Sequence, residues 1–211
     1  VEDWGAMSLN AKYDRLAEGF SEREYLDPDR YSARRAAVIV ELGPRLLAGQ
    51  TVLDLGCGDG IAAGPLLAYG LLYSGVDSSE QMVEAARRRF PELGFDVGTI
   101  EGYEPPEPVD ATICLRAFHY AEDRLGFFRR VASYTRVKLV FDFRPADPAD
   151  EIVRDLRAAG FSRVELRPFF LSARRSVPEA ALPLLGAVER SGPLAERLAR
   201  RFGRTFCSAA V

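Results

Sequence analysis

Histidine, lysine and tryptophan are scarce in this sequence. His119 is the single histidine, Lys12 and Lys138 are the only lysines, and there is one tryptophan. One imidazole excludes metal sites built on several histidines. Cysteine is scarce too. Cys57, Cys114 and Cys207 are odd in number and widely spaced, with no CxxC pair, so neither a disulfide framework nor a structural zinc site is indicated. Long runs of like charge are missing: the net charge is −3, with both signs interleaved along the chain. That removes the electrostatic footprint of a nucleic-acid binder. No apolar stretch reaches the roughly 18 residues needed to span a bilayer. The opening "VEDWGAMSLNAKYDRL" lacks the basic and apolar regions of a signal peptide. A reduced, soluble, cytoplasmic protein without nucleic-acid or membrane partners is the expectation, and the oligomeric state is left open.

What is present is an alternating pattern. Of the 211 residues, 47% are hydrophobic, enough to bury a sizeable core in one domain. "DPDRYSARRAAVIVELGPRLLAG" opens on an Asp-Pro turn. A helical apolar stripe follows at Ala36, Val38, Ile39, Leu42, Leu46 and Leu47, broken near Gly43 and Pro44. Seven strand-like segments come next: "TVLDL", "LYSGVD", "GFDVGTI", "VDATICL", "VKLVFDF", "SRVELRPFFL" and "RTFCSAAV". Helical patterns separate most of them, among them "IAAGPLLAYG", "SSEQMVEAARRRF" with a serine cap, "EDRLGFFRRVASYT" and "PADEIVRDLRAAGF". Such alternation predicts an α/β, Rossmann-like, doubly wound fold. Its seven-stranded sheet is expected to be mostly parallel, with an antiparallel C-terminal strand. One or two amphipathic helices are expected between Pro178 and Arg201, and the two strands flanking them could pair as a long antiparallel hairpin.

The chemistry concentrates in "VLDLGCGDG". Gly56, Gly58 and Gly60 are spaced G-x-G-x-G. The dinucleotide fingerprint G-x-G-x-x-G needs a glycine where Ile61 stands, and no Gly-Lys-Ser/Thr follows to make a P-loop. Asp54 precedes the loop. A carboxylate there disfavours a phosphate and favours a cationic or zwitterionic ligand. Asp77 ends the second strand, 21 residues beyond Gly56. That is near the spacing of a ribose-binding acid. The ligand implied carries a ribose and a positive part.

On these residues, "VLDLGCGDG" together with "GVDSSEQMVEAAR", the chain resembles the class I S-adenosylmethionine-dependent methyltransferases of small-molecule type. The resemblance runs from about Tyr13 to Arg144 and more weakly beyond. It implies S-adenosylmethionine as cofactor and S-adenosylhomocysteine as product. It also implies one methyltransferase domain over residues 1–211: an N-terminal helical cap (1–50), a cofactor-binding core (51–144) and a C-terminal part (145–211) with a helical insertion at 172–203. Carried onto this sequence, the methionine end of the cofactor meets Asp54, Gly56, Cys57, Gly58 and Gly60. Asp77 takes the ribose, and Ser78 and Met82 flank the adenosine. Thr99 stands where many members carry an adenine-reading aspartate, a departure that leaves Thr99, the Ile100 N–H and Glu101 as alternatives. Leu115 and Arg116 lie beside the cofactor. Tyr25 and Arg34 are favoured to hold its carboxylate, with Tyr13, Arg30 and Arg35 as other candidates.

Phe118, His119 and Tyr120 then face the transfer site. Imidazole suits general-base work near neutral pH, so His119 is the candidate catalytic residue if the acceptor is a hydroxyl; packing at the pocket is its competing role. Tyr103, Tyr120 and Glu101 are weaker candidates. The reaction expected is in-line displacement of the methyl group onto O, N or C of a small organic acceptor. A protein or nucleic-acid acceptor, or a cofactor-binding homologue without catalysis, is the alternative. No metal site is expected.

Overall fold

The computed structural model describes residues 9–175, 177–192, 195, 198 and 204–211. Three helices come first: α1 (Leu9–Leu16), α2 (Phe20–Glu24) and α3 (Pro28–Glu41). Then follow β1 (Thr51–Leu55), α4 (Ala63–Leu67), β2 (Leu72–Asp77), α5 (Glu80–Arg89), β3 (Gly94–Val97) and β4 (Val109–Cys114). A 3-10 turn (Phe118–Tyr120) leads to α6 (Arg124–Tyr134), β5 (Thr135–Phe143), α7 (Ala149–Ala158) and β6 (Arg163–Phe169). After a second 3-10 turn (Glu179–Ala181) come α8 (Leu182–Glu189) and β7 (Arg204–Ala210).

The seven strands form one sheet in the order β3-β2-β1-β4-β5-β7-β6. The neighbours from β3 to β5 pair parallel, while β7 runs antiparallel to both β5 and β6. The doubly wound, mostly parallel sheet and its antiparallel C-terminal strand are therefore as the sequence predicts. Among the described residues, no helix is long and apolar enough to cross a membrane.

Strand side chains alternate between two cores, as a period of two requires. Val52, Ile113 and Val140 pack with Val38 and Ile39 of α3, Leu66 of α4 and Val83 of α5. Leu53, Leu139 and Phe141 pack on the other face with Phe127, Phe128 and Val131 of α6 and Ile152 of α7. Local chemistry sets the helix starts. Asp27 accepts the Arg30 N–H ahead of Pro28, and Ser79 accepts the Met82 N–H at 3.2 Å. The Thr51–Asp110 pair fixes the bottom of the β1–β4 register, since Asp110 accepts from both the N–H and the hydroxyl of Thr51.

Some boundaries differ from the sequence pattern. α3 stops at Glu41, so Leu46 joins the core from the following loop and Leu47 is 63% exposed rather than part of the stripe. β3 covers only Gly94–Val97, and the next residues turn back through Thr99, whose carbonyl accepts the Gly102 and Tyr103 N–H groups. In the tail, α8 is the described helix; part of the helical stretch expected to Arg201, at 193–194, 196–197 and 199–201, lies outside the described residues.

Lys138 of β5 is fully buried, and its ammonium donates to the carbonyls of Val40 at 3.2 Å and Leu42 at 2.7 Å. It satisfies acceptors that the end of α3 leaves open and ties that helix to the sheet centre. Lys138→Ala removes both bonds and leaves a cavity, and should lower stability by about 2–4 kcal/mol, read as a reduced urea midpoint.

Candidate functional site

The strand order reverses between β1 and β4, and a cavity of about 450 Å³ opens there at the carboxyl ends of the strands. Its floor is the glycine turn after β1. The N–H groups of Gly56 and Cys57 both donate to the Val76 carbonyl, at 2.7 and 2.9 Å, which folds the turn over β2. Gly56 has φ +78°, and a Cβ there would come within 2.4 Å of the Ala117 side chain. Gly58 has φ +57° with nothing near its absent side chain, so backbone conformation alone requires glycine there.

Two carboxylates face the cavity in different states. Asp77 is held by backbone: Oδ2 accepts the Gly58 N–H at 2.8 Å and Oδ1 the Ser79 N–H at 3.0 Å. The Ser78 N–H also bonds to this carboxylate, and a carboxylate with about four acceptor sites keeps room for one further donor. Asp54 is almost fully buried. Its Oδ2 accepts from the Tyr73 hydroxyl at 2.7 Å, and its Oδ1 has no partner among the described residues. Burial pushes the Asp54 pKa up to about 6, against the opposing pull of the Tyr73 hydrogen bond and the Arg35 charge. An unpaired, buried carboxylate oxygen on a cavity wall is a place for an external donor, an ammonium above all.

A cationic corner stands on the same wall. Tyr25 receives hydrogen bonds at its hydroxyl from Arg116 at 3.0 Å and Arg35 at 3.4 Å. All three residues line the cavity. Arg116 sits at φ +59°, and its N–H donates to Asp142, which is buried and also binds Arg204. Arg34, expected to act with Tyr25, does not reach the cavity. Its guanidinium pairs with Glu189 at the end of α8, and Glu189 also accepts the Phe170 N–H at 2.9 Å. One residue is about 100° of helix rotation, so Arg35 points inward where Arg34 cannot. Gly60 is also off the lining, its missing side chain facing Ala86 and Phe95.

The other expected cofactor residues line the cavity: Cys57, Ser78, Met82, Thr99, Ile100, Glu101 and Leu115. The Cys57 thiol is buried and held protonated by that burial and by the nearby aspartates, which suits packing. Thr99 and Glu101 are already employed, since Thr99 Oγ1 accepts the Gly102 N–H and Glu101 the Asp123 N–H. The N-terminal helices cover the site through polar contacts that include Tyr13 to Tyr120, Asp14 to Ser79, Glu24 to Arg116, and Ser21 to Asp59 by two hydrogen bonds. His119 lines the far end with Tyr120, Arg144 and Arg204. Nothing local in the sequence marks Arg144, Arg204 and Asp142, because Arg204 joins the other two only through strand pairing.

With this geometry in view, residues 52–138 match the family model described as a methyltransferase domain. A trans-aconitate 2-methyltransferase of Rhizobium etli is 36% identical over 81 residues, covering 37% of this chain and 32% of the relative. A ubiquinone biosynthesis O-methyltransferase of Methylobacterium is 30% identical over 100 residues, covering 45% and 40%. The chain thus spans less than half the length of these curated relatives. The structure of a magnesium protoporphyrin IX methyltransferase of Synechocystis with bound SAM aligns with TM-score 0.59 at 21% identity, over 100% of this chain and 87% of the other. Its likeness is one of fold. The matched segment contains Asp54, Asp77, Arg116 and His119 but ends before Asp142, Arg144 and Arg204.

Burial, then Arg144 and Arg204, pull the His119 pKa below its ordinary value, with Asp142 and Asp147 opposing. Both effects favour the neutral imidazole. As the only histidine, it gives an unambiguous ring-proton NMR titration. The midpoint should fall below 6.5, the ordinary value, and Arg144→Gln should move it upward.

Proposed function

We propose that this chain is an S-adenosylmethionine-dependent methyltransferase acting on a small organic molecule. The observation that carries the reading is the unpartnered Oδ1 of Asp54 on the cavity wall beside the Tyr25–Arg35–Arg116 corner. An α-amino acid group needs one acceptor and one cationic partner close together, and this wall offers both. Asp54 would take the amino group and the arginine corner the carboxylate. Asp77 keeps acceptor capacity for a ribose hydroxyl, and Met82 and Ile100 offer apolar surface to the base.

When bound, the cofactor supplies a methyl group already activated on a sulfonium. The chain then has to align an acceptor and keep water out, which is where proximity lowers the barrier. The covering helices α1 and α2 serve the second purpose. Neutral His119, with Tyr120 beside it at 4.0 Å between ring centroids, can accept a proton from a hydroxyl acceptor. The relatives' names support a small acceptor, since trans-aconitate and ubiquinone precursors are both small molecules. We further propose that the domain bounds follow the sheet, with the cofactor half ending near Arg144.

Calorimetry with S-adenosylhomocysteine is the direct test, and absence of binding at pH 7.5 would overturn the proposal. Asp77→Ala should weaken binding by about 10- to 100-fold, the worth of charge-assisted hydrogen bonds. Binding should also depend on pH through Asp54. Only its ionised form accepts from an ammonium, so affinity should fall as the pH drops through about 6. Tyr73→Phe removes a hydrogen bond that favours the carboxylate, so the fall should move to higher pH.

A further inference from the structure

The cavity carries arginines at both ends. Arg35 and Arg116 stand beside Asp54, near the ends of β1 and β2, and Arg144 and Arg204 stand beyond the end of β5 and at the start of β7. The antiparallel register pairs Asp142 with Phe206 and Phe143 with Thr205. Continued by one step, it sets Arg144 opposite Arg204. Directly opposed residues on antiparallel strands have side chains on the same face, a few ångströms apart. Two like charges in that position repel, so the arrangement costs stability unless anions meet it.

The protein supplies two carboxylates, and neither lines the cavity. Asp142 binds the Arg204 Nε from within the sheet, where it is buried. Asp147 holds Arg144 at 3.0 Å within its own turn. The anions stand behind and the guanidinium groups face the open space. Among the described residues, the terminal nitrogens of Arg204 have no partner. His119 lines the cavity with both arginines, and their charges lower its proton affinity.

From this we infer that the methyl acceptor is a small organic acid, whose carboxylate docks between Arg204 and Arg144 beside His119. The inference rests on the methyl-transfer reading of the same cavity. Asp142 fixes the plane of Arg204, so one fork of the guanidinium stays presented, the geometry that a carboxylate takes up with two parallel hydrogen bonds. Arg144, more exposed, closes on the second oxygen or on a second carboxylate. With the cofactor's own carboxylate on the Arg35–Arg116 corner, the arginines left for an acid are Arg144 and Arg204. Since both arginines lie outside the segment shared with the family model, they suit a part of the molecule that selects its own acceptor.

The test uses the full chain saturated with S-adenosylhomocysteine and titrated calorimetrically with succinate and citrate, with succinamide as the uncharged isostere of succinate. The acids should bind and the amide should not. Arg144→Gln should weaken the acids at least tenfold. Arg204→Gln alone would strand the buried Asp142, so the paired change Asp142→Asn with Arg204→Gln replaces the ion pair by a neutral hydrogen-bonded one. It too should weaken the acids at least tenfold. S-adenosylhomocysteine affinity, measured first for each variant, reports whether the cofactor end is intact. Equal binding of succinate and succinamide overturns the inference, as do acids that bind both variants as they bind the parent. Failure of S-adenosylhomocysteine to bind the parent protein overturns the methyl-transfer reading instead, and the acceptor assignment with it.

Discussion

Parallel strands place all their carboxyl ends on one edge of a sheet, and their connections must cross a face to return. In this protein the order of strands reverses at β1, so the connection after β1 leaves to one side and the connection after β4 to the other. No chain crosses the gap between them. Everything chemical follows from that opening. The glycine turn folds over β2 because it has nowhere to continue, Asp77 grips it from the next strand, and the 3-10 turn carrying His119 descends on the other side. Covering the gap falls to α1 and α2 from before the sheet, which are fastened by polar contacts at Asp14, Ser21 and Tyr13.

The site also shows how burial and charge are traded. Asp77 keeps its place by accepting backbone N–H groups, so its position is set by the fold. Asp54 is left half-satisfied in a dry environment, which raises its proton affinity and makes it dependent on what enters the cavity. Asp142 does a third thing: it sits fully inside and orients two arginine residues at once, one through its backbone N–H and one through its side chain. Three aspartates at strand ends thus have three roles, set by the number and kind of donors around each.

Much of this was legible in the chain. Period-two alternation located the strands, Ser79 and Asp27 marked helix starts, and the spacing of Asp54, the glycines and Asp77 followed from the requirement that one strand, one tight turn and the next strand end meet. The limits were equally physical. The choice between Arg34 and Arg35 depends on helix phase, and phase is fixed by what α3 packs against, including a tail helix far along the chain. Leu47 fits a helical stripe, yet the helix ends earlier, where Lys138 reaches its last carbonyls from β5. Arg144 and Arg204 are 60 residues apart in the numbering and become neighbours only through antiparallel pairing. Local pattern has no access to such a register.

The placement of β7 bears on assembly. β6 precedes it in the chain but touches the sheet only through it, because β7 lies between β5 and β6. During synthesis the edge of β5, with its apolar Leu139, Val140 and Phe141, therefore stays unpaired until β7 has emerged, while β6 has no docking place. The parallel half bearing Asp54 and Asp77 pairs among segments made earlier, so it can form first. The half bearing Arg204 is completed last, by long-range pairing that folds slowly and leaves an edge open to other chains. A nascent chain would hold the crevice around Asp54 and Asp77 before it holds the arginine pair.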